Sequence, residues 1–385
     1  MSVIKKTFTT GLCGVCYCEL PAQIEYRDDN AAYITKHCPT HGYEETMVEV
    51  DWKFWDAATQ KNPHNDTWKE YNNVSIIEIT DRCNVQCKHC YQMPDNSIPD
   101  KSTQHIVKLI EAAPTEKVCL MGAEPTMRED LPEIIREAQK FNKKISIYTN
   151  GVKLQKENYI NELMEAGLCS VNMSIHNPSY HDLNIWKNVQ RGLRNASQAG
   201  IKFGQVSFTV ETKEEVELAM NQILWVLSNV PEVLRPQDFC IRSPSEIGLP
   251  FEKEREIFAS EIFTWIREVA LDKKLSFIKH PNHGSNPYHV GGLLVDPKTQ
   301  RMQTIQIIHW ANVKSVDTSF MYMGPWASFM PNTWSTFLIQ AILRDGLRKG
   351  WYQGHAIMKN KDSIRPVVIE MPRSVSISNK PNSIS

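Results

Sequence analysis

The 385-residue chain has no net field to speak of: 43 Lys and Arg stand against 44 Asp and Glu, a formal charge of −1. A uniform attraction to nucleic acid or an anionic membrane is therefore not expected, and basic–aromatic interleaving is also missing. Nowhere is there a run of about eighteen apolar residues that would span a bilayer. The residues after Met1 include Lys5 and Lys6 but no apolar core of signal-peptide length, so a cytoplasmic protein is expected. No sequence period repeats. No cysteine follows Cys240, although the chain has ten, seven of them within the first ninety residues. In a cytoplasmic chain that usage points to metal ligation rather than disulfides.

Cys83, Cys87 and Cys90 form a Cys-x3-Cys-x2-Cys array directly after a strand-like run. Three close thiolates without a fourth suit an iron–sulfur centre that keeps one position open for chemistry. A separate set lies earlier, where Cys13 and Cys16 form one knuckle and Cys38 and His41 another about twenty residues on. That spacing suits a tetrahedral ribbon-like site for zinc or a single iron, with Cys18 as an alternative ligand. So short a segment has little core, and a bound ion is expected to fold it. Cys119, Cys169 and Cys240 lie in or beside apolar strand-like runs and read as small core residues.

From residue 74 a strand-then-helix rhythm sets in. Strands are expected over 74–80, 117–121, 144–149, 170–175, 202–210, 239–243 and 275–279, with helices at 102–113, 129–141, 158–166, 184–199, 213–228 and 251–271. Ile106, Leu109, Ile110 and Ala113 share one helical face, and Leu131, Ile134, Ile135 and Ala138 share another. Successive units of this kind predict a parallel sheet wrapped by helices. The rhythm stops after His280, where a hairpin around Pro297 and a helix over 333–349 read as a cap, and the serine-rich end reads as disordered. The expected domains are a metal-binding ribbon-like module (1–50), a connector (51–72) packed through Trp52, Trp55 and Trp68, a barrel (73–285), a substrate cap (286–370) and a tail (371–385).

The triad, together with Gly122 to Thr126 after the second strand and Tyr148 to Gly151 at the end of the third, resembles the radical S-adenosylmethionine (SAM) superfamily over roughly residues 74–243. The resemblance implies an α/β fold: a partial TIM-type (β/α)6 barrel with the N-terminal metal ribbon and an α+β C-terminal cap. It implies a [4Fe-4S] cluster on Cys83, Cys87 and Cys90, and SAM held by Gly122, Ala123, Glu124, Pro125, Thr149, Asn150, Ser174, His176 and Arg242, with His89 beside the adenine. In that family Glu124 would face the methionine ammonium. Ala123 departs from the family's frequent second Gly and is tolerated if its φ is negative.

The N-terminal cysteines resemble, more loosely, a subgroup with a ribbon ahead of the barrel that includes tetraether lipid synthase and pterin-precursor methylases. The implied reaction is reductive cleavage of SAM to a 5′-deoxyadenosyl radical that takes hydrogen from a small-molecule or lipid substrate, with flavodoxin or ferredoxin as reductant. Radical SAM methyl transfer and peptide modification are enzyme alternatives; a non-catalytic zinc-dependent binding protein is the alternative of another class. His280, His283, Tyr288 and His289 are expected to hydrogen-bond substrate, with His309 and Tyr322 lining the same cavity, while Trp310 and Trp326 read as core packing before cavity lining.

Overall fold

The computed structural model describes residues 1–16, 19–59, 74–87, 90, 94–113, 115–175, 183–236, 238–244, 255–280, 287–309, 311, 314, 315 and 317. Cys18, Trp68, His89, His176, His283, Trp310, Tyr322 and Trp326, the helix expected over 333–349 and the expected tail lie outside these residues, as does the side chain of His289.

The N-terminal module is an antiparallel meander of β1 (Val3–Leu12), β2 (Glu19–Arg27), β3 (Ala32–Cys38) and β4 (Gly42–Glu49) in that spatial order. Strand alternation turns Ile24, Tyr26, Ile34 and Val48 inward. The opposite face carries a charged chain in which Arg27 pairs with Glu25 and Glu45, and Lys6 with Glu25. The module's core is not its own. It is completed by Trp55 of α1 (Trp52–Thr59), by Tyr288 and by Ala311. Trp55 meets Tyr288 edge-on at 5.3 Å. The ribbon therefore gains apolar burial from the main body as well as any stabilisation by its ion.

The main body is a nine-stranded sheet. Six parallel strands stand side by side in chain order: β5 (Val74–Glu78), β6 (Lys117–Met121), β7 (Lys144–Thr149), β8 (Leu168–Ser174), β9 (Lys202–Thr209) and β10 (Asp238–Arg242). They are connected by α2 (Thr103–Ala112), α3 (Leu131–Ala138), α4 (Glu157–Glu165), α5 (Leu183–Gln198) and α6 (Lys213–Asn229). Local sequence sets these limits. Ser102 caps α2 by accepting from the His105 amide, and Gly167 and Gly200 take positive φ where α4 and α5 have ended.

Three differences from the sequence reading appear, one set by a helix cap and two by strand pairing. The helix expected over 251–271 is α7 (Ala259–Asp272): Phe258 is extended, and its amide donates to the Glu261 carboxylate, which caps the helix there. The hairpin assigned to a cap joins the main sheet instead. Of its strands, β13 (Met302–Ile308) lies parallel beside β10, and β12 (His289–Val295) lies antiparallel beside β13. The strand expected to continue the parallel series, β11 (Ser276–Lys279), pairs antiparallel with β12 at the sheet edge. Among the described residues β5 and β11 are unclosed edges, so the barrel is partial.

The helix-covered face holds the core. Ile145, Ile147, Phe203, Val206, Phe239 and Ile241 are fully buried against helix residues such as Ile134, Leu163, Ile223 and Ile266. Each such side chain contributes about 1.5–3 kcal/mol. The alternate strand positions face the concave side and are polar: Ser146 and Tyr148, Asn172 and Ser174, Gln205 and Ser207, Asp238 and Arg242. A closed barrel fills its interior with branched apolar layers. This one keeps polar groups there, half-buried except for the buried Ser207.

Candidate active site and a second metal centre

The loop after β5 carries the cysteine triad and is anchored at both ends. Asp95 donates its amide to the Asp81 carbonyl, the Cys83 amide donates to Asn96 Oδ1 at 3.0 Å, and Arg82 forms an ion pair with Asp100. The Cys83 thiol lies 3.4 Å from the Val85 amide and 3.8 Å from Asn150 Nδ2. Burial pushes Cys83 up to about 12; burial raises Cys87 too, and the negative charge of Cys83, Cys90 and Glu124 adds to it, opposed by Arg242. Thiols close enough to oppose one another's ionisation stay protonated alone. A soft multivalent cation centre replaces those protons, so the donor set fits an iron–sulfur cluster.

The loops after β6 and β7 are tied together by Glu124. Its Oε1 accepts from the Thr126 amide, the Thr126 hydroxyl at 2.6 Å and the Thr149 hydroxyl at 2.7 Å, while Oε2 accepts from the Asn150 amide at 2.7 Å. The carboxylate is 1 % exposed, and burial raises its pKa against these donors. Asn150 then bridges to the cysteine loop, donating to Asn84 Oδ1 at 2.9 Å. Gly122 has φ +148°, and a Cβ there would strike the Thr80 carbonyl. Ala123 is not among the positive-φ residues, which is the condition under which a methyl is tolerated, and its amide donates to Thr80 O.

Across the concave face, Arg242 donates to Thr209 Oγ1 at 3.2 Å and to Ser174 Oγ at 3.4 Å. The Tyr148 hydroxyl donates to Gln205 Oε1 at 3.0 Å and lies 2.9 Å from Ser207 Oγ. Lower down, Gln306 Nε2 donates to Asp238 Oδ2 at 2.8 Å. Gln205, Ser207, Asp238 and Gln306 escaped the sequence reading. Their signal is alternation, because a polar residue recurs at every second position inside runs whose other residues are Ile, Val and Phe.

Three further expectations are corrected. Tyr288 does not face a substrate cavity: its hydroxyl donates to the Ser315 carbonyl and accepts from the Asp317 amide, in the joint between ribbon and main body. Cys169 is exposed, whereas Cys119 and Cys240 are buried. His309 is buried with Nε2 2.8 Å from Glu256 Oε1.

In the ribbon, the ligand atoms of Cys13, Cys16, Cys38 and His41 lie within 4.8 Å of one another. Cys16 and Cys38 sulfurs are 3.8 Å apart, and His41 Nδ1 is 3.4 Å from Cys13 Sγ and 3.5 Å from Cys38 Sγ. A tetrahedron with zinc–sulfur bonds of about 2.3 Å has sulfur–sulfur edges of about 3.8 Å. Burial would raise Cys13 and Cys38, yet backbone amides of Cys16 and Val15, and of Thr40 and His41, bring both below the usual thiol value. These thiols are prepared to ionise, as metal ligands must be.

Residues 77–223 match the family model of the radical SAM superfamily, and residues 6–50 match the HMPTM N-terminal zinc ribbon domain. A probable GTP 3′,8-cyclase of Methanococcus maripaludis (strain C7) is 31% identical over 236 residues, covering 57% of this chain and 74% of that protein. The chain belongs to the radical SAM superfamily. The 7,8-dihydro-6-hydroxymethylpterin dimethyltransferase of Methanocaldococcus jannaschii is 29% identical over 191 residues, covering 42% of this chain but 38% of the relative. A probable GTP 3′,8-cyclase of Methanococcus aeolicus is 34% identical over 160 residues, 37% of this chain and 53% of the relative. Among solved structures, Streptococcus suis SuiB bound to S-adenosylmethionine is 15% identical with a TM-score of 0.40, covering 53% of this chain and 48% of SuiB. A radical SAM enzyme works with a [4Fe-4S] cluster and SAM, and the N-terminal module is a metal-binding zinc ribbon. No helix among the described residues is long and apolar enough to cross a membrane.

Proposed function

We propose that the protein is a cytoplasmic radical SAM enzyme that acts on a polar, nitrogen-containing small molecule resting on the concave face of the sheet. The observation that carries this reading is the joining of three loops by two residues: Glu124 links the loops after β6 and β7, and Asn150 links them to the cysteine loop. When bound, the cluster and SAM, fed one electron by a flavodoxin- or ferredoxin-type reductant, supply a 5′-deoxyadenosyl radical able to abstract hydrogen from an unactivated carbon.

The chain's own residues do the rest. Cys83, Cys87 and Cys90 hold the cluster. Gly122, Ala123, Glu124 and Pro125 offer backbone carbonyls to the SAM ammonium, with Glu124 acting through the loop it fixes, because both its oxygens already accept hydrogen bonds. Thr149, Asn150, Ser174, His176 and Arg242 supply polar contacts, and Arg242, hydrogen-bonded to Ser174, suits a carboxylate. Cys13, Cys16, Cys38 and His41 hold the ribbon ion. A hydrocarbon chain laid on the half-buried Gln205 and Asp238 would strip water from polar groups without replacing it, which disfavours a lipid.

The relatives' names supply chemistry for the substrate. A hydroxymethylpterin and GTP share a fused 2-amino-4-oxopyrimidine ring, and a compound of that class fits a face lined with amides, hydroxyls and one carboxylate. Methyl transfer to such a ring is the second reading, favoured by the ribbon match over residues 6–50.

Anaerobically reconstituted protein should bind about four irons through the triad, and dithionite with SAM should yield 5′-deoxyadenosine. Cys83→Ala, Cys87→Ala and Cys90→Ala should each abolish that product. Wild type that binds no cluster would sink the reading. Transfer of deuterium from a labelled pterin or guanine nucleotide into 5′-deoxyadenosine would separate hydrogen abstraction from transfer of the SAM methyl group.

A further inference from the structure

After β7 the chain runs through Asn150 and Gly151 into a short helical turn, Lys153–Gln155, and α5 holds this segment from outside. Gly192 of α5 lies against it so closely that a Cβ there would stand 2.5 Å from the Gly151 carbonyl oxygen and 3.1 Å from Leu154 Cβ. One turn on, Asn195 donates through Nδ2 to the Leu154 and Gln155 carbonyls, the latter at 2.7 Å. Gly151 itself takes φ +76°, and Met173 fills the space a side chain would need. These contacts fix how the chain leaves Asn150.

The Asn150 side chain is fixed as firmly. Its backbone amide donates to Glu124 Oε2 at 2.7 Å, and its Oδ1 accepts from the Val152 amide at 3.0 Å. The second bond decides which way the carboxamide faces, because the Val152 N–H needs an oxygen. Nδ2 therefore points to the cysteine loop, where it donates to Asn84 Oδ1 at 2.9 Å and lies 3.8 Å from Cys83 Sγ. Asn150 and Cys83 are both buried, so little water competes for that sulfur. With both its N–H groups turned this way, the Asn150 side chain keeps only an acceptor for SAM.

We infer that Asn150, held from α5 by Gly192 and Asn195, is a positioning residue that aims a side-chain N–H at the Cys83 sulfur and so raises the reduction potential of the cluster bound there. One electron added to a [4Fe-4S] cluster spreads negative charge onto its thiolate ligands. A buried N–H dipole pointed at one of them stabilises the reduced form more than the oxidised form. This assignment rests on the proposed function above, from which it takes the cluster.

The test is a potentiometric titration of full-length, cluster-loaded protein without SAM, read by the electron paramagnetic resonance signal of the reduced cluster. Asn150→Leu keeps the size and removes the donor. At the wild-type midpoint its ratio of reduced to oxidised cluster should fall by about threefold to tenfold, a tenfold change being about 59 mV for one electron. Asn150→Asp, which adds negative charge, should lie lower still, and Asn195→Ala, which removes only the hold from α5, should fall between wild type and Asn150→Leu. A residue that merely supported the fold would change iron content or melting, not this order. Coinciding midpoints for wild type and Asn150→Leu overturn the inference, and an unshifted Asn195→Ala overturns the role given to α5. If the Asn150 variants bind no iron, wild type decides. With asparagine isotopically labelled at its side-chain nitrogen, pulsed resonance of the reduced cluster should show coupling to that nitrogen, and its absence overturns the inference. Wild type that loads no cluster strikes the proposed function and this inference together; failure of SAM cleavage by a cluster that follows the predicted order strikes the former alone.

Discussion

The Glu124 carboxylate and the Thr149 hydroxyl meet at 2.7 Å, joining the loop after β6 to the loop after β7. Because the same carboxylate also takes the Asn150 amide and both donors of Thr126, one buried side chain sets the spacing of the two loops that follow β6 and β7.

Glu124→Ala leaves those donors facing a cavity. Each stranded donor costs about 1–3 kcal/mol, so a loss of at least about 3 kcal/mol is expected in urea unfolding. Formation of 5′-deoxyadenosine should fall by well over tenfold, because the loops lose their mutual position. Glu124→Gln keeps the volume but sets an NH2 against an existing donor, and should recover packing more than activity. A Glu124→Ala protein of wild-type stability would show that the carboxylate is not the tie between the loops.

Gly122 and Ala123 make opposite predictions from adjacent positions. A methyl on Gly122 meets the Thr80 carbonyl at φ +148°, so Gly122→Ala should be destabilised by about 1–3 kcal/mol and should lose SAM cleavage. Ala123→Gly removes a methyl from a residue of ordinary φ and should cost no more than about 1 kcal/mol, with SAM cleavage retained. Chemical unfolding and product assays on the pair decide it; equal sensitivity at both positions would refute the backbone argument.

Strand and helix order was legible because the helix-side residues are apolar at the right periods: Ile106 and Ile110 on α2, and Ile134, Ile135 and Ala138 on α3. The triad and both loops were legible from their motifs and separations. What the sequence hid was set by distant pairing. The β12–β13 hairpin reads the same whether it forms a cap or extends a sheet, and only its bonds to β10 decide. Tyr288 resembles a site residue until Asp317 and Ser315 are seen to take its hydroxyl. Asp238 and Gln306 are 68 residues apart, and neither belongs to a motif.

The ribbon metal should be separable from the cluster. Cys13 and His41 lie at the far end of β1 and β3 from the core that Trp55 and Tyr288 share with Ile24 and Ile34. Cys13→Ala should therefore lose the ribbon ion and lower the melting midpoint, while the iron content of the triad is kept. Because Trp55 and Tyr288 also bury the ribbon's core, partial retention of its strands is expected by circular dichroism. Metal analysis showing loss of the triad iron with the ribbon ion retained would contradict the ligand assignment.

Glu49 gives the clearest dependence on pH. It closes β4 and accepts from the Ser260 hydroxyl at 2.6 Å and the Ser260 amide at 3.3 Å, in the first turn of α7, and so fixes the ribbon to a barrel helix. Burial raises its carboxyl to about 7, against the hydrogen bonds from Ser260 and Val50 that lower it. In the unfolded chain it titrates near 4.5. Below 4.5 both states hold the proton and Glu49 exacts no ionisation cost. As pH rises from 4.5 through 7 the unfolded state gives up its proton first, so stability is lost over that window and then levels off. The full effect is on the order of 3 kcal/mol. Glu49→Gln has no proton to lose, although its NH2 opposes the Val50 amide that now donates to Glu49. The difference between wild-type and Glu49→Gln unfolding free energies should therefore favour wild type most at pH 5 and shift toward the variant by pH 8. Titrating groups common to both proteins cancel in that difference. A difference that stays constant from pH 5 to pH 8 would mean that Glu49 does not carry its proton in the folded protein.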